Sequence, residues 1–251
     1  MAENRREAED RVEGKNAVME ALKAGRPLDK IYIAGGEQDK TLRFIAQKGK
    51  AAGAVISEAD RRKLDAMSVT HAHQGVIAVA AAREYSTVAD ILALAAGRGE
   101  APLIVVCDEI TDPHNLGAII RTAECAGAHG VVIPRNRSAG VTAVVEKTSA
   151  GAVEHMLVAR ASNLSAALRE LQEAGVWIFG TAADGDRSLW EADLKGPAAL
   201  VIGSEGSGMS RLIRENCDFL ISIPLRGKVT SLNASNAAAV VLYEAVRQRI
   251  G

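Results

Sequence analysis

Three loops of this chain carry side chains whose types and spacing could do chemistry. Each follows a short apolar run that reads as a buried strand, and each is rich in glycine, asparagine, serine or charged residues: residues 108–116, 203–208 and 224–235. In α/β proteins, loops that leave the carboxyl ends of strands are where ligands bind. The three loops are therefore expected to build one site together.

The first loop places Asn115 and Arg121 in the early turns of a predicted helix. Asparagine is a good N-cap residue, which explains Asn115 without any function. Arg121 is harder to explain structurally, because the residues around it are apolar and a charge in such surroundings needs a partner. A phosphate group is one candidate partner.

The second loop is glycine-rich, with the spacing G-x-x-G-x-G. This spacing differs from the Rossmann fingerprint and from the P-loop, and the loop lies in the last fifth of the chain. Its glutamate, Glu205, would repel a phosphate. We therefore expect the loop to receive a neutral or cationic group. The late position of the loop and the absence of an early G-x-G-x-x-G speak against a dinucleotide-dependent oxidoreductase.

The third loop carries more hydrogen-bonding side chains than a helix start requires. Four of them fall within six positions: Ser231, Asn233, Ser235 and Asn236. A cap explains one such residue. Pure capping stays an alternative for the set, because serine and asparagine suit helix starts well.

The composition is that of an ordinary globular protein, with 48% hydrophobic and 24% charged residues and a formal net charge of -1. An aromatic content of only 3% argues against RNA binding on an aromatic stacking platform. The cysteines, Cys107, Cys125 and Cys217, lack zinc-site spacing, so no metal is expected. No apolar run approaches membrane-spanning length, and we predict a cytoplasmic protein with reduced thiols.

The predicted elements form two α/β domains joined by a linker. Residues 1–82 alternate between helices (one ending at Gly25, then 41–50 and 59–67) and strands (30–34, 54–56 and 76–81). Residues 83–101, with a helix at 87–96 and a Gly-Arg-Gly-Glu step, suit a linker. Residues 102–251 hold six short strands (103–107, 131–133, 156–158, 176–179, 199–202 and 220–223) separated by helices (116–128, 142–148, 164–174, 210–215 and 233–249). This order predicts a mostly parallel sheet covered by helices.

Two features of the first domain have no assigned role. Arg61, Arg62 and Lys63 form a basic run, which is either a solvated helix face or an RNA contact. His71 and His73 lie near the last predicted strand and prove nothing alone.

The segments NLGAIIRTA, IGSEGSG and IPLRGKVTSLNASNAA resemble the three motifs of the SpoU (TrmH) RNA ribose 2′-O-methyltransferases of the SPOUT superfamily. The resemblance extends over residues 103–249, and the three motifs have the order and spacing of the family. The first eighty residues resemble the small ribosomal-protein-like RNA-binding domain of the bacterial enzymes that methylate a guanosine of large-subunit ribosomal RNA.

This resemblance implies an α/β fold with a C-terminal trefoil knot, a homodimer formed through the knotted domain, and S-adenosylmethionine bound in a bent pose. By motif, the implied catalytic residues are Asn115, Arg121, Glu205, Ser231 and Asn233. The implied cofactor-binding residues are Gly203, Ile223, Leu232, Thr181 and Glu205.

The implied partner is ribosomal RNA, and the basic residues near the loops are expected to form a rim for it: Arg135, Arg137, Arg226 and Lys228, with Arg211 and Arg214. Two or three of these six should be solvated surface charges only. Two alternatives stay open, a transfer-RNA 2′-O-methyltransferase and a catalytically inactive RNA-binding or ribosome-assembly factor.

Overall fold

The computed structural model of the protein describes residues 11–35, 39–80 and 84–250. Residues 1–10 and the end of the predicted strand 76–81 lie outside these residues. The chain packs into two compact units, one made of Met1–Glu84 with Val141–His155 and the other of Tyr85–Gly140 with Met156–Gly251. Residues 85–101 of the predicted linker are part of the second unit, and residues 141–155 of the predicted second domain are part of the first.

The first unit contains a four-stranded sheet, helices and one short 3₁₀ turn, Ala152–Glu154. Its strands are β1 (Arg11–Glu13), β2 (Leu28–Ala34), β3 (Val55–Ala59) and β4 (Val76–Ala80), in the order β1-β4-β2-β3. Its helices are α1 (Lys15–Lys23), α2 (Lys40–Ala51), α3 (Arg61–Met67) and α6 (Ala143–Thr148). β1 was not predicted, because three residues are too few for a periodic pattern to show.

Two hydrophobic clusters lie on the two faces of this sheet. α1 and α2 pack on one face around Val18, Ile31 and Ile45, and α3 packs on the other around Leu64 and Ile77. Alternation along β2 explains this division, since successive side chains of a strand point to opposite faces.

The second unit is built on a seven-stranded sheet in which every strand pair is parallel. Its strands are β5 (Leu103–Cys107), β6 (Gly130–Pro134), β7 (Leu157–Ala161), β8 (Trp177–Thr181), β9 (Arg187–Ser188), β10 (Ala198–Ile202) and β11 (Phe219–Ser222). They lie in the order β7-β6-β5-β10-β8-β11-β9. The predicted parallel sheet is thus confirmed, with the two-residue β9 as an addition.

Five helices cover this sheet, together with a 3₁₀ turn at Leu189–Glu191: α4 (Val88–Arg98), α5 (Pro113–Cys125), α7 (Leu164–Glu173), α8 (Arg211–Glu215) and α9 (Ala234–Ile250). Ile91 of α4 and Leu168 of α7 are fully buried in one cluster with Ile104 and Val106 of β5. α9 packs against α5 and β10. β5 and β10 are buried along their whole length, as strands covered on both faces require. The trefoil knot stays a prediction of the family resemblance.

Two sequence predictions for α5 were wrong. The helix begins at Pro113, three residues earlier than expected, because Asp112 is the N-cap and its carboxylate accepts a hydrogen bond from the His114 N–H at 2.8 Å. Asn115 therefore lies inside the first turn and does not cap the helix. Arg121 consequently falls in the third turn, and it is exposed despite its apolar sequence neighbours.

None of the helices within the described residues is long and apolar enough to cross a membrane. In the same part of the chain, no group of three or more histidine, cysteine or acidic side chains is arranged to hold a metal ion.

Candidate active site

The three loops singled out in the sequence meet at one edge of the second unit's sheet. β5, β10, β8 and β11 are consecutive neighbours, and all of them run in the same direction. Their carboxyl ends therefore lie side by side, and the loops that leave them share one edge.

A hydrogen-bonded cluster of three side chains joins these loops. The amide nitrogen of Asn115 donates to Oε1 of Glu205 at 2.7 Å, and that of Asn233 donates to Oδ1 of Asn115 at 2.9 Å. The Asn233 amide also donates to Glu205 Oε1. One carboxylate oxygen thus receives both amides, so the position of Glu205 depends on both neighbouring loops.

Asn233 is at the same time the cap of α9. Its Oδ1 accepts hydrogen bonds from the Ser235 N–H at 3.0 Å and the Asn236 N–H at 3.3 Å. The Ser235 hydroxyl donates to the same oxygen at 2.6 Å. Capping therefore accounts for one end of the Asn233 amide, and the other end is directed at the cluster.

A cavity of about 300 Å³ opens beside this cluster. Its lining includes Thr181, Gly203, Glu205, Ile223, Ser231 and Leu232. Ser231 is exposed, and Leu232 is 37% exposed. All five predicted cofactor-binding residues thus line a single cavity, whose volume is at the low end of the usual range for ligand sites.

The glycine loop forms a closed turn that leaves no space at Gly203. Ser204 and Gly208 exchange two backbone hydrogen bonds of 3.0 Å, and Gly208 has a φ of +67°. A Cβ on Gly203 would lie 2.3 Å from the carbonyl carbon of Gly208 and from the nitrogen of Met209. Glycine at position 203 therefore lets the two ends of the loop touch and keeps a backbone surface open to the cavity.

Thr181 supplies a second sign that the cavity is made for a polar ligand. Its hydroxyl oxygen is buried and has no hydrogen-bond partner within the described residues, although the residue lines the cavity. A buried hydroxyl without a partner is costly, and a ligand with a polar group would remove that cost. A nucleoside with hydroxyls and ring nitrogens, joined to a cationic group near Glu205, fits such a lining.

Sequence reasoning missed Asp108, the residue directly after β5. Its side chain is 4% exposed, and its Oδ2 accepts a hydrogen bond from the Ser210 N–H at 2.6 Å, 102 residues later in the chain. This bond fixes the point where the glycine loop enters α8. The signal was an acidic residue that immediately follows a fully apolar strand, where a buried carboxylate needs a partner.

Arg121 and Ser231 are the two predicted catalytic residues outside the hydrogen-bonded cluster, and Arg121 is the charged one. Its side chain is exposed, and among the described residues no hydrogen bond or ion pair joins it to another side chain. An exposed guanidinium keeps its donors available for an anion from solution.

The predicted rim residues are all exposed except Arg214, which is half-buried. Arg214 makes two hydrogen bonds to Asp184, at 2.8 and 3.0 Å, and Arg211 pairs with Glu215 at 2.7 Å. Much of the charge of these two arginines is therefore balanced within the protein. Arg135, Arg226 and Lys228 have no ion-pair partner among the described residues, and Arg137 lies 3.4 Å from Glu109.

Family models match nearly the whole chain. Residues 102–243 match the SpoU rRNA Methylase family, and residues 11–86 match the substrate-binding domain of RNA 2′-O ribose methyltransferases. The chain belongs to the SpoU rRNA methylase family. The two matches together make it an S-adenosylmethionine-dependent RNA 2′-O-methyltransferase.

Individual SpoU relatives resemble the chain over most of its length. It is 48% identical to a putative TrmH family tRNA/rRNA methyltransferase of Bacillus subtilis, over 96% of both chains. It is 46% identical to the 23S rRNA (guanosine-2′-O-)-methyltransferase RlmB of Ralstonia nicotianae, over 89% of both. The crystal structure of the SpoU methyltransferase AviRb from Streptomyces viridochromogenes in complex with AdoMet matches with a TM-score of 0.80 at 28% identity, covering 96% of this chain and 90% of AviRb.

Proposed function

We propose that the protein transfers a methyl group from S-adenosylmethionine to the ribose 2′-hydroxyl of a guanosine in 23S ribosomal RNA. The observation that carries this proposal is the Asn115–Glu205–Asn233 cluster, which lies beside a cavity with an unpartnered hydroxyl. The RlmB enzymes of Ralstonia nicotianae and Shewanella oneidensis, 46% and 41% identical to this chain, support the choice of substrate.

S-adenosylmethionine supplies an electrophilic methyl group on a cationic sulfonium. The backbone at Gly203 and the hydroxyl of Thr181 would hold its adenosine part, and Ile223 and Leu232 would form apolar walls. Glu205 provides the negative charge that favours a cation nearby. Because two amides fix one of its oxygens, this charge is positioned before any ligand binds, which is how preorganised sites stabilise charge.

Arg121 binds the phosphate beside the target ribose. Guanidinium stays protonated in proteins, so Arg121 is not the base that removes the hydroxyl proton. As a fixed cation it lowers the pKa of the nearby 2′-hydroxyl, and its planar fork fits two phosphate oxygens. Ser231 and Asn233, both exposed, orient the ribose so that the hydroxyl is aligned for direct displacement, and solvent water accepts the hydroxyl proton that Arg121 makes more acidic.

The RNA is bound by shape and phosphate contacts, in keeping with the low aromatic content. Arg135, Arg137, Arg226 and Lys228 form the exposed rim of this surface. A ribosomal substrate places the enzyme in the cytoplasm.

The active form is a homodimer assembled through the second unit. Tyr243 and Ile250 of α9 are 50% and 82% exposed. Val229, another large apolar side chain of this unit, is 74% exposed. Tyr243 and Ile250 are seven residues apart and therefore lie on one face of α9, and exposed apolar side chains that share a face mark surfaces of association. Light scattering coupled to size-exclusion chromatography will measure twice the 26.4 kDa chain mass if the proposal holds.

Methylation mapping tests the reaction. Purified protein is incubated with S-adenosylmethionine that carries a labelled methyl group. One reaction also contains 23S rRNA transcribed in vitro, and a second reaction contains a mixture of transfer RNAs transcribed in vitro. We expect one 2′-O-methylguanosine in the 23S rRNA and no label in transfer RNA. Label confined to transfer RNA would show the substrate to be wrong, and no label in either RNA would favour an inactive RNA-binding factor.

The cofactor is tested separately by thermal shift. Bound S-adenosylmethionine raises the melting temperature, because it binds the folded chain only. An unchanged melting temperature at millimolar S-adenosylmethionine contradicts the assignment of this cavity.

A further inference from the structure

The first unit contains a cavity of about 490 Å³ that has no part in the methyl-transfer site. Its lining includes Lys15, Asp39, Arg61, Asp65, His71 and His73. We propose that this cavity binds one nucleotide of the RNA substrate, with the phosphate on its cationic side chains. The proposal rests on the proposed function, since it names where the first unit holds the RNA.

One wall of the cavity is a loop, residues 68–75, that is fixed at its beginning by a buried carboxylate. Glu13 is fully buried and accepts hydrogen bonds from the Ser68 hydroxyl at 2.6 Å and the Val69 N–H at 2.7 Å. The Thr70 N–H and hydroxyl also donate to it. Four donors on one carboxylate hold the start of the loop rigidly in place.

The other end of the loop is fixed by His73. Its Nδ1 accepts from the Gly75 N–H at 3.0 Å, and its Nε2 lies 3.0 Å from Oδ1 of Asp65 on α3. Since Nδ1 is an acceptor, Nε2 carries the hydrogen and donates a hydrogen bond to Asp65. His73 therefore has a structural role, and it ties the loop to the helix that carries the basic run.

Between these two anchors the backbone is strained at the cavity surface. His71 and Gln74 have φ angles of +50° and +54°, which are uncommon for residues other than glycine. Such conformations persist only where the surroundings enforce them, and they cluster at ligand sites. Within this loop the side chain of His71 is exposed at the cavity, and His73 is buried.

The charges of the lining fit a nucleotide. The carboxylate of Asp39 is paired with Lys15. The carboxylate of Asp65 accepts a hydrogen bond from His73 and is 67% exposed, so water and salt screen its charge. The ammonium of Lys15 has three donors, so its ion pair with Asp39 leaves donors for a phosphate oxygen. Lys147 donates to the Ala72 carbonyl and brings a further positive charge to the loop.

Neutral hydrogen-bonding groups lie among these charges. The Gln74 carboxamide oxygen accepts from the Lys15 N–H at 3.1 Å, which leaves its NH₂ group as a donor. The imidazole of His71 offers both a donor and an acceptor. A base or ribose edge needs such a mixture next to a phosphate, whereas a free inorganic anion does not.

A crosslinking experiment locates the contact. The full-length protein is irradiated with 23S rRNA transcribed with 4-thiouridine, then digested with trypsin and ribonuclease. Trypsin cleaves after Lys63 and Arg83, so the whole loop lies in the single peptide 64–83. We expect nucleotide adducts on this peptide. Adducts on other peptides of residues 11–86 but none on 64–83 overturn the proposal.

Substitutions test the energetic role of the cavity. His71→Gly removes the imidazole without straining a backbone that glycine tolerates, and Lys15→Met removes the charge but keeps the stem. Each is expected to raise KM for 23S rRNA about tenfold, as the loss of a charge-assisted contact implies, with kcat and the Kd for S-adenosylmethionine unchanged. Affinity falls as salt rises, and Lys15→Met should make the plot of log affinity against log salt concentration less steep by roughly 0.7–0.9.

Lys50→Met is the matched control. Lys50 is exposed near the far end of α2, about 16 Å along the helix from Asp39, and the substitution removes the same charge. Its KM should stay within twofold of the wild-type value. If His71→Gly and Lys15→Met behave like Lys50→Met, the cavity does not bind RNA. Should the wild type methylate no 23S rRNA, the proposed function itself fails, and the crosslinked peptide still decides the question of the cavity.

Discussion

The side-chain amide of Asn233 donates a hydrogen bond to Oδ1 of Asn115 at 2.9 Å, across 118 residues of sequence. The carbonyl end of the same Asn233 amide caps α9. The start of the last helix and the first turn of α5 are thus linked through one side chain, with Glu205 bound to both. Any change at Asn233 acts on the helix and on the cluster, and the two effects can be separated.

Asn233→Asp separates them. Aspartate caps helices about as well as asparagine, so the melting temperature should change little. The donating NH₂ becomes an oxygen that faces Glu205 and Asn115 Oδ1, and the repulsion displaces the cluster. We expect kcat to fall about 100-fold, the cost of misplacing a site by roughly 1 Å. Asn233→Ala is the control, because it loses the cap as well and must also unfold at a lower temperature.

The sequence predicted the architecture of the second unit because its strands are short, apolar on both faces and separated by amphipathic helices. It could not predict the role of Asn115 from local pattern alone. A cap was the simpler interpretation, and only the position of Asp112 and Pro113 in three dimensions shows that the cap is already supplied.

Contacts between distant residues explain the remaining gaps. Asp108 is hydrogen-bonded to Ser210, 102 residues later, and Glu13 to Ser68, 55 residues later. A pattern read over a short stretch of sequence cannot detect either pair. Likewise, the exposure of Arg121 depends on which side of α5 packs against the rest of the unit, and apolar neighbours in sequence did not reveal it.

Gly203→Ala should disrupt the glycine loop. The new Cβ would meet backbone atoms of Gly208 and Met209 at 2.3 Å, and backbone cannot move aside as a flexible side chain does. We expect a loss of about 1–3 kcal/mol of unfolding free energy and no measurable binding of S-adenosylmethionine by calorimetry. Gly206→Ala is the matched control, since nothing lies within 4 Å of its added Cβ. Equal stability of the two variants would contradict the close contact at Gly203.

Arg121→Lys distinguishes a phosphate-binding role from a base. Lysine keeps the charge but lacks the planar fork that binds two oxygens. We expect kcat/KM for RNA to fall about 100-fold at every pH from 6 to 10, with the melting temperature unchanged because the side chain is exposed. Activity that is retained with an optimum at higher pH would instead favour residue 121 as the base.

The cysteines should differ sharply in reactivity. Burial raises the pKa of Cys107 and of Cys217 to about 12, so only roughly one thiol in 10⁴ is ionised at pH 8. Cys125 is exposed. Iodoacetamide at pH 8 should therefore modify Cys125 first, and mass spectrometry of tryptic peptides will show it. Prior alkylation of Cys107 in folded protein would contradict the burial of β5.

Glu13 should make the first unit sensitive to acid. Burial by itself raises the pKa of Glu13, but hydrogen bonds from Ser68, Thr70 and the backbone outweigh burial and hold the pKa below its ordinary value of 4.5. A carboxylate whose pKa is lower in the folded state stabilises the fold above the unfolded-state pKa, and this stabilisation is lost as the pH falls through the folded-state pKa.

Glu13→Gln should cost about 1–3 kcal/mol of unfolding free energy at pH 7, because an NH₂ group replaces an acceptor that faces several donors. Urea unfolding of wild type and variant at pH 7, 5, 4 and 3 measures the difference. The gap between the two proteins should be constant down to pH 5 and narrow below pH 4.5, and a gap that stays constant to pH 3 would mean that the Glu13 carboxylate is not the acceptor that fixes the loop.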